Sequence, residues 1–395
     1  MPDVLVLGGG FAGVWSAAGA ARLLGGDRVT LVSASDDMVI RPRLYEARPG
    51  DKRVPLDRVL RPIGVRRHAA HVTDVDTVRR RVTVIAEGRE SELGYERLVL
   101  ATGSRLVRPS MPGAEWLHDV DTLDSAIALD AHLHALPDEP GEGRFTAVVV
   151  GAGFTGLEVA TELVGRLRDI SGDAEQVRVV LVERAPDIGP ELGPGPRPAI
   201  TAALDELGIE RHLGATVEKV ERRGVRLSDG TWIAARTVVW TAGVQASPLT
   251  RAVPGDRDRI GRLVTDEYLR VRGVTGVYAA GDTAAAPADE THTVMPSCQH
   301  ALQLGRHAGH NVAADLLGIP LVPFTPDPYV VCLDLGDAGA VTARGWDRIV
   351  HTTGAVAKAR KQQVNTQWIY PPLDDAEEIL RRADYRVSTR PTSSA

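Results

Sequence analysis

Two glycine turns in this chain have the spacing to hold pyrophosphate, Gly8-Gly9-Gly10-Phe11-Ala12-Gly13 and Gly151-Ala152-Gly153-Phe154-Thr155-Gly156. In each, the first glycine allows a tight turn, the second lets backbone approach a phosphate, and the third lets helix pack on strand. A helix that starts there turns free N–H groups and the positive end of its dipole toward an anion. Glu183 closes the second strand of the second unit. A carboxylate there accepts ribose hydroxyls and repels a 2′-phosphate, which favours NADH over NADPH, although Arg184 beside it offsets part of that repulsion. The matching position of the first unit is Ser33, with Asp36 and Asp37 close by, either as substitutes or as members of a surface turn. Two more pairs, Glu158 with Glu162 and Gln299 with Gln303, are spaced i, i+4, so each pair shares one helical face. A solvated acidic pair is the plainer reading of the first. His300, Gln303, His307 and His310 also align, but no cysteine or carboxylate cluster joins them, and a packed or surface stripe is expected in place of a metal site.

These residues need elements to hold them. Val4 to Leu7, a helix from Val14 to Leu24 and a strand from Val29 to Val32 read as one βαβ unit. Phe145 to Val150, a helix from Leu157 to Arg168 and a strand from Val177 to Val182 read as another. Arg97 to Leu100 leads into Ala101-Thr102-Gly103, Thr237 to Trp240 into Thr241-Ala242-Gly243, and Val274 to Ala280 into Gly281-Asp282. Asp282 is placed either to bind a ligand or to cap a helix. A helix from Cys298 to Leu317 stops at Gly318-Ile319-Pro320. The expected fold is α/β, with two Rossmann-like dinucleotide-binding domains and a C-terminal interface region. Residues 1–115 and 241–324 form the first domain, 116–240 the second, 325–387 the C-terminal layer and 388–395 a disordered tail.

Composition narrows the function. At 395 residues the chain suits two or three domains, and 43% hydrophobic with 25% charged residues is ordinary for a globular protein. The net charge of −6 argues against a nucleic-acid partner. Two cysteines, Cys298 and Cys332, are too few for a disulfide framework, a four-cysteine zinc site or a cysteine-ligated iron–sulfur cluster. No stretch is long and apolar enough to span a membrane, and no secretory signal is readable, so a cytoplasmic protein is expected, with peripheral contact at the membrane face left open.

The order of these motifs resembles two-dinucleotide FAD/NAD oxidoreductases, and within them the type II NADH dehydrogenases. Arg41-Pro42-Arg43-Leu44-Tyr45-Glu46 resembles that family's flavin-side segment, Gly156 to Glu162 its second-site helix, and Gln299-His300-Ala301-Leu302-Gln303 its quinone-site helix. The resemblance spans roughly residues 3 to 373. It implies FAD on the first unit, at Gly8, Gly10, Phe11, Ala12, Gly13, Ser33, Pro42, Arg43, Ala101, Thr102, Gly103, Gly281 and Asp282. It implies NADH on the second, at Gly151, Gly153, Phe154, Thr155, Gly156, Glu183, Ala242 and Gly243. Glu158 would then face nicotinamide and flavin, and the amides of Gln299 and Gln303 would hydrogen-bond the carbonyl oxygens of a quinone. Hydride would pass from NADH to FAD and electrons on to a quinone-type acceptor. The alternatives are a flavoprotein reductase of a redox protein or natural product, and a slow FAD/NADH sensor with Arg348 and His351 on a partner surface. Lys358, Arg360 and Lys361 read as a solvated basic turn, or as an attraction for anionic lipid or an acidic redox partner. The two cysteines read as buried and inert, because the paired redox cysteines of the disulfide reductases are missing. A homodimer is left open.

Overall fold

The computed structural model describes residues 2–388. Apart from Ser388, the expected tail lies outside the described residues. The first sheet is five-stranded and wholly parallel, in the order Val277–Ala279, Arg97–Leu100, Val4–Leu7, Val29–Ser33, Arg66–Ala69. A second parallel sheet runs Glu210–Leu213, Arg178–Glu183, Thr146–Val150, Thr237–Trp240. The central strands Val4–Leu7 and Thr146–Val150 are buried at every residue, as expected of a parallel strand covered on both faces. Antiparallel pairing of Ser104–Leu106 with Val244–Ala246 ties together the two connections between these sheets.

Four helices position the site: α1 (Phe11–Leu24), α2 (Phe154–Ser171), α3 (Cys298–Leu317) and α4 (Gly354–Gln363). Both α1 and α2 start three residues earlier than their apolar spacing suggests. Gly10 and Gly153 hold extended backbone immediately before them, so each helix begins inside its glycine turn. Helix α3 has the predicted bounds. It crosses α1 almost backbone to backbone. A Cβ on Gly305 would lie 2.5 Å from the Ala12 carbonyl oxygen, and one on Gly309 would lie 2.3 Å from that of Ser16. This crossing brings the start of α3 beside the first glycine turn.

The C-terminal layer is an antiparallel sheet of Val330–Asp334, Ala340–Arg344 and Ile349–Thr353, followed directly by α4. The α2 helix packs against the turn that follows its first strand: the Thr161 carbonyl oxygen is 2.6 Å from where a Gly336 Cβ would sit. Among the described residues, no helix is long and apolar enough to cross a membrane.

Candidate active site

Both glycine turns open into one continuous cavity of about 2180 Å³, lined also by the C-terminal layer. That exceeds the roughly 300–1,000 Å³ of a site for one small ligand. Gly8, Gly10, Phe11 and Ala12 line one end, with Ser33, Pro42, Ala101, Thr102, Gly103, Gly281 and Asp282. Gly13 does not line it; its Cβ position is 1.8 Å from the Gly8 carbonyl oxygen, so its role is helix-to-strand packing. Gly151, Gly153, Phe154, Thr155, Glu183, Ala242 and Gly243 line the other end, and Gly156 packs on Gly151 as Gly13 does on Gly8. No side chain caps α1 or α2, and neither carries an acid in its first turn. Both helix starts are therefore open to phosphate.

Asp282 turns its carboxylate to the Ser104 hydroxyl, 2.7 Å away, and the short helical turn around it has no side-chain cap. The capping role is not realised. Arg41, immediately before Pro42, ties Asp121 to Ser104 and reaches within 4.0 Å of Asp282. Arg43 does not line the cavity; its guanidinium pairs with Glu46 and with the Tyr370 hydroxyl. Ser33 accepts the Ser35 N–H at 3.3 Å. Asp36 pairs with Arg67 on the surface, and Asp37 lines the cavity with Arg53 on its carboxylate. At the second end, the buried Glu183 accepts the N–H groups of Ala152 at 2.7 Å and Ala185 at 2.8 Å. These bonds fix the carboxylate before any ribose arrives.

Between the two ends lies Glu158. Its Oε1 accepts Lys361 Nζ at 2.8 Å and the Asp334 N–H at 3.1 Å. Burial raises the Glu158 carboxyl, and Lys361 pulls it back down. Burial would lower the Lys361 ammonium, but Glu158 outweighs it and holds the proton on. Lys361 is thus no solvated turn residue. Its basic neighbours differ too: Lys358 reaches Asp334 at 2.5 Å, and Arg360 stacks over the Trp368 ring. Nothing in the local sequence of α4 marks Lys361, because its partner lies on α2. Arg348, read as a partner-surface residue, is instead buried over Tyr329, while His351 is exposed at the cavity wall.

The glutamines behave differently from their expected roles. Gln299 lines the cavity, yet its amide bonds the Pro328 carbonyl and the Val330 N–H. Gln303 is not on the cavity wall, and its Oε1 accepts the Asp327 N–H at 2.8 Å. Both clamp the segment that enters the C-terminal sheet. His307 and His310 of the same helix pack on Tyr385, and among the described residues no group of three or more His, Cys, Asp or Glu could hold a metal. Cys298 and Cys332 line the cavity, but burial pushes both thiols up to about 11, so they are neutral at pH 7.

Residues 2–305 match the family model of the pyridine nucleotide-disulphide oxidoreductases. The chain belongs to that family. It is 46% identical to an NADH dehydrogenase-like protein of Mycobacterium tuberculosis, over 99% of this chain and 100% of the relative. It is 29% identical to a demethylphylloquinone reductase of Synechocystis, over 86% of each. Its fold matches the NDH2 of Plasmodium falciparum solved with NADH at a TM-score of 0.75 and 14% identity, over 91% of this chain and 93% of that one. This family member is an NAD(P)H-dependent flavoprotein oxidoreductase, with FAD and NADH as its cofactors.

Proposed function

We propose that the protein oxidises NADH held on the second glycine turn and reduces a quinone-type acceptor, with FAD on the first turn. The observation that carries this reading is the buried Glu158–Lys361 pair on the wall of the single cavity that joins both turns. FAD, when bound, supplies the ring that takes hydride from NADH and gives up electrons one or two at a time. The chain binds, orients and manages protons. Gly8, Gly10 and the start of α1 hold the FAD pyrophosphate, and Asp282 accepts its hydroxyls. Gly151, Gly153 and the start of α2 hold that of NADH, with Glu183 on the ribose. Glu158 presents a carboxyl of raised affinity for protons where charge changes during turnover, and Lys361 keeps its ionised form tolerable in the buried site.

The acceptor reading is supported by the lack of a disulfide-linked cysteine pair among the described residues, since Cys298 and Cys332 are both free thiols. It is supported also by the demethylphylloquinone reductase and type II NADH:quinone oxidoreductases among the relatives. A lipid-soluble quinone would require the protein to work at a membrane face. Purified, flavin-loaded protein should oxidise NADH many times over with a short-chain quinone. Absence of quinone turnover, with flavin reduction by NADH intact, would remove the quinone reading and keep the dehydrogenase.

A further inference from the structure

The second glycine of each turn is where the backbone leaves room for a pyrophosphate, and the two turns differ there. A Cβ on Gly10 would have nothing within 4 Å, whereas one on Gly153 would lie 3.7 Å from Glu191 Oε2. That is ordinary van der Waals contact, so the Glu191 carboxylate borders the space that a diphosphate on this turn must use. Helix α2 has no cap and no acid of its own in its first turn. Glu191 brings an acid there from the loop that follows Glu183.

This loop is anchored on both sides of Glu191. Gly189, in the left-handed region at φ 58°, donates its N–H to the Ala152 carbonyl oxygen at 3.1 Å, inside the glycine turn itself. Leu192 is buried, and its N–H closes a single helical turn on the Gly189 carbonyl at 2.9 Å. Farther on, a Cβ on Gly195 would lie 2.5 Å from the Arg348 carbonyl oxygen, so the loop packs also on the C-terminal layer. Glu191 itself is exposed and lines the cavity, with no hydrogen bond or ion pair on its carboxylate among the described residues. The positive end of α2 attracts this carboxylate as it would attract a phosphate. Its charge in turn repels a diphosphate that approaches the same N–H groups.

We propose that Glu191 competes with the diphosphate of NADH and NAD⁺ for the start of α2, so that the nucleotide is held loosely and leaves at each turnover. FAD, on the unguarded first turn, stays. The proposal rests on the reading that puts NADH on the second turn, and Gly153→Ala tests that reading by itself. Gly153 has φ −75° and room for a methyl group, so the variant keeps the fold while the methyl takes the place of the diphosphate. Flavin-loaded wild-type, Glu191→Gln and Gly153→Ala proteins are titrated calorimetrically with ADP, and with adenosine as the part without phosphate. In Glu191→Gln the Kd for ADP should fall about 10-fold and that for adenosine should not move. NAD⁺ should then inhibit NADH oxidation at a concentration about 10-fold lower. In Gly153→Ala the Kd for ADP should rise at least about 10-fold. Weakened ADP binding in Gly153→Ala with unchanged or weaker binding in Glu191→Gln would overturn the proposal and keep NADH on the turn. A gain shared equally by adenosine would overturn it too. Unchanged ADP binding in Gly153→Ala would remove NADH from this turn, and the proposal with it.

Discussion

The Lys361 ammonium and the Glu158 carboxylate, 203 positions apart, meet at 2.8 Å with both side chains more than nine-tenths buried. This contact joins the C-terminal layer to the second glycine-turn helix at the centre of the cavity. Two buried opposite charges stabilise a fold little by themselves, because desolvation offsets their attraction. Their consequence is specific: neither partner can be lost alone without leaving the other uncompensated.

Lys361→Met is accordingly expected to cost about 3–5 kcal/mol of stability. The isolated Glu158 carboxyl should then remain protonated to higher pH. Adding Glu158→Gln should recover most of the loss, since it removes the stranded charge. Denaturant unfolding of the two single variants and the double variant measures the coupling as a closed cycle. Additive losses would show the pair to be uncoupled.

Acid sensitivity should come from buried histidines. Burial pushes His118 and His307 down to about 4, more than any neighbour raises them. Both rings are neutral in the fold, so their contribution is fully present above the ordinary histidine value of about 6.5 and is lost as pH falls through 4. Each depressed ring contributes on the order of 3 kcal/mol across that window. Burial lowers His132, His300 and His310 as well, so unfolding free energy should fall over this range with the uptake of more than two protons. His307→Leu, which keeps an apolar contact for Phe324 and Tyr385, should reduce the slope by about one proton. An unchanged slope would place the acid sensitivity elsewhere.

Cofactor choice should follow Glu183. Its two oxygens already hold the N–H groups of Ala152 and Ala185, so the carboxylate cannot swing away from a 2′-phosphate. Glu183→Gln keeps the size and one acceptor but removes the charge. The kcat/KM ratio of NADH to NADPH should drop about 10- to 100-fold, mostly through better use of NADPH next to Arg184. Steady-state rates with both nucleotides read this directly, and an unmoved ratio would reassign the selectivity.

Both glycine turns, the two parallel sheets and α3 were legible because their signals are local: glycine spacing, β-branched runs and a Gly-Ile-Pro stop. What stayed hidden depends on contacts between distant segments. Lys361 sits among Lys358, Arg360, Gln362 and Gln363, a polar run that resembles any exposed helix face, and Glu158 of α2 with the Tyr45 ring makes it interior. Asp334 likewise looks like the end of an ordinary strand. The glycines of α3 were a readable signal left unused. Gly305 and Gly309, four residues apart, marked the face that meets α1, and α1 supplies Gly19 to the same crossing.

That same helix separates Gln299 from Gln303, although equal spacing suggested equal roles. Gln303 spends its Oε1 on the Asp327 N–H away from the cavity, while Gln299 stands on the cavity wall with an amide shared between Pro328 and Val330. Gln303→Ala should therefore cost about 1 kcal/mol, the loss expected for one part-buried hydrogen bond. The KM for a quinone should stay near the wild-type value in that variant. Gln299→Ala should do the reverse, raising that KM with little change in stability, because its bonds to the backbone are long and partly solvated. Paired thermal unfolding and quinone kinetics on the two variants distinguish these outcomes. Equal effects on quinone KM would mean that both amides reach the acceptor, as their spacing first implied.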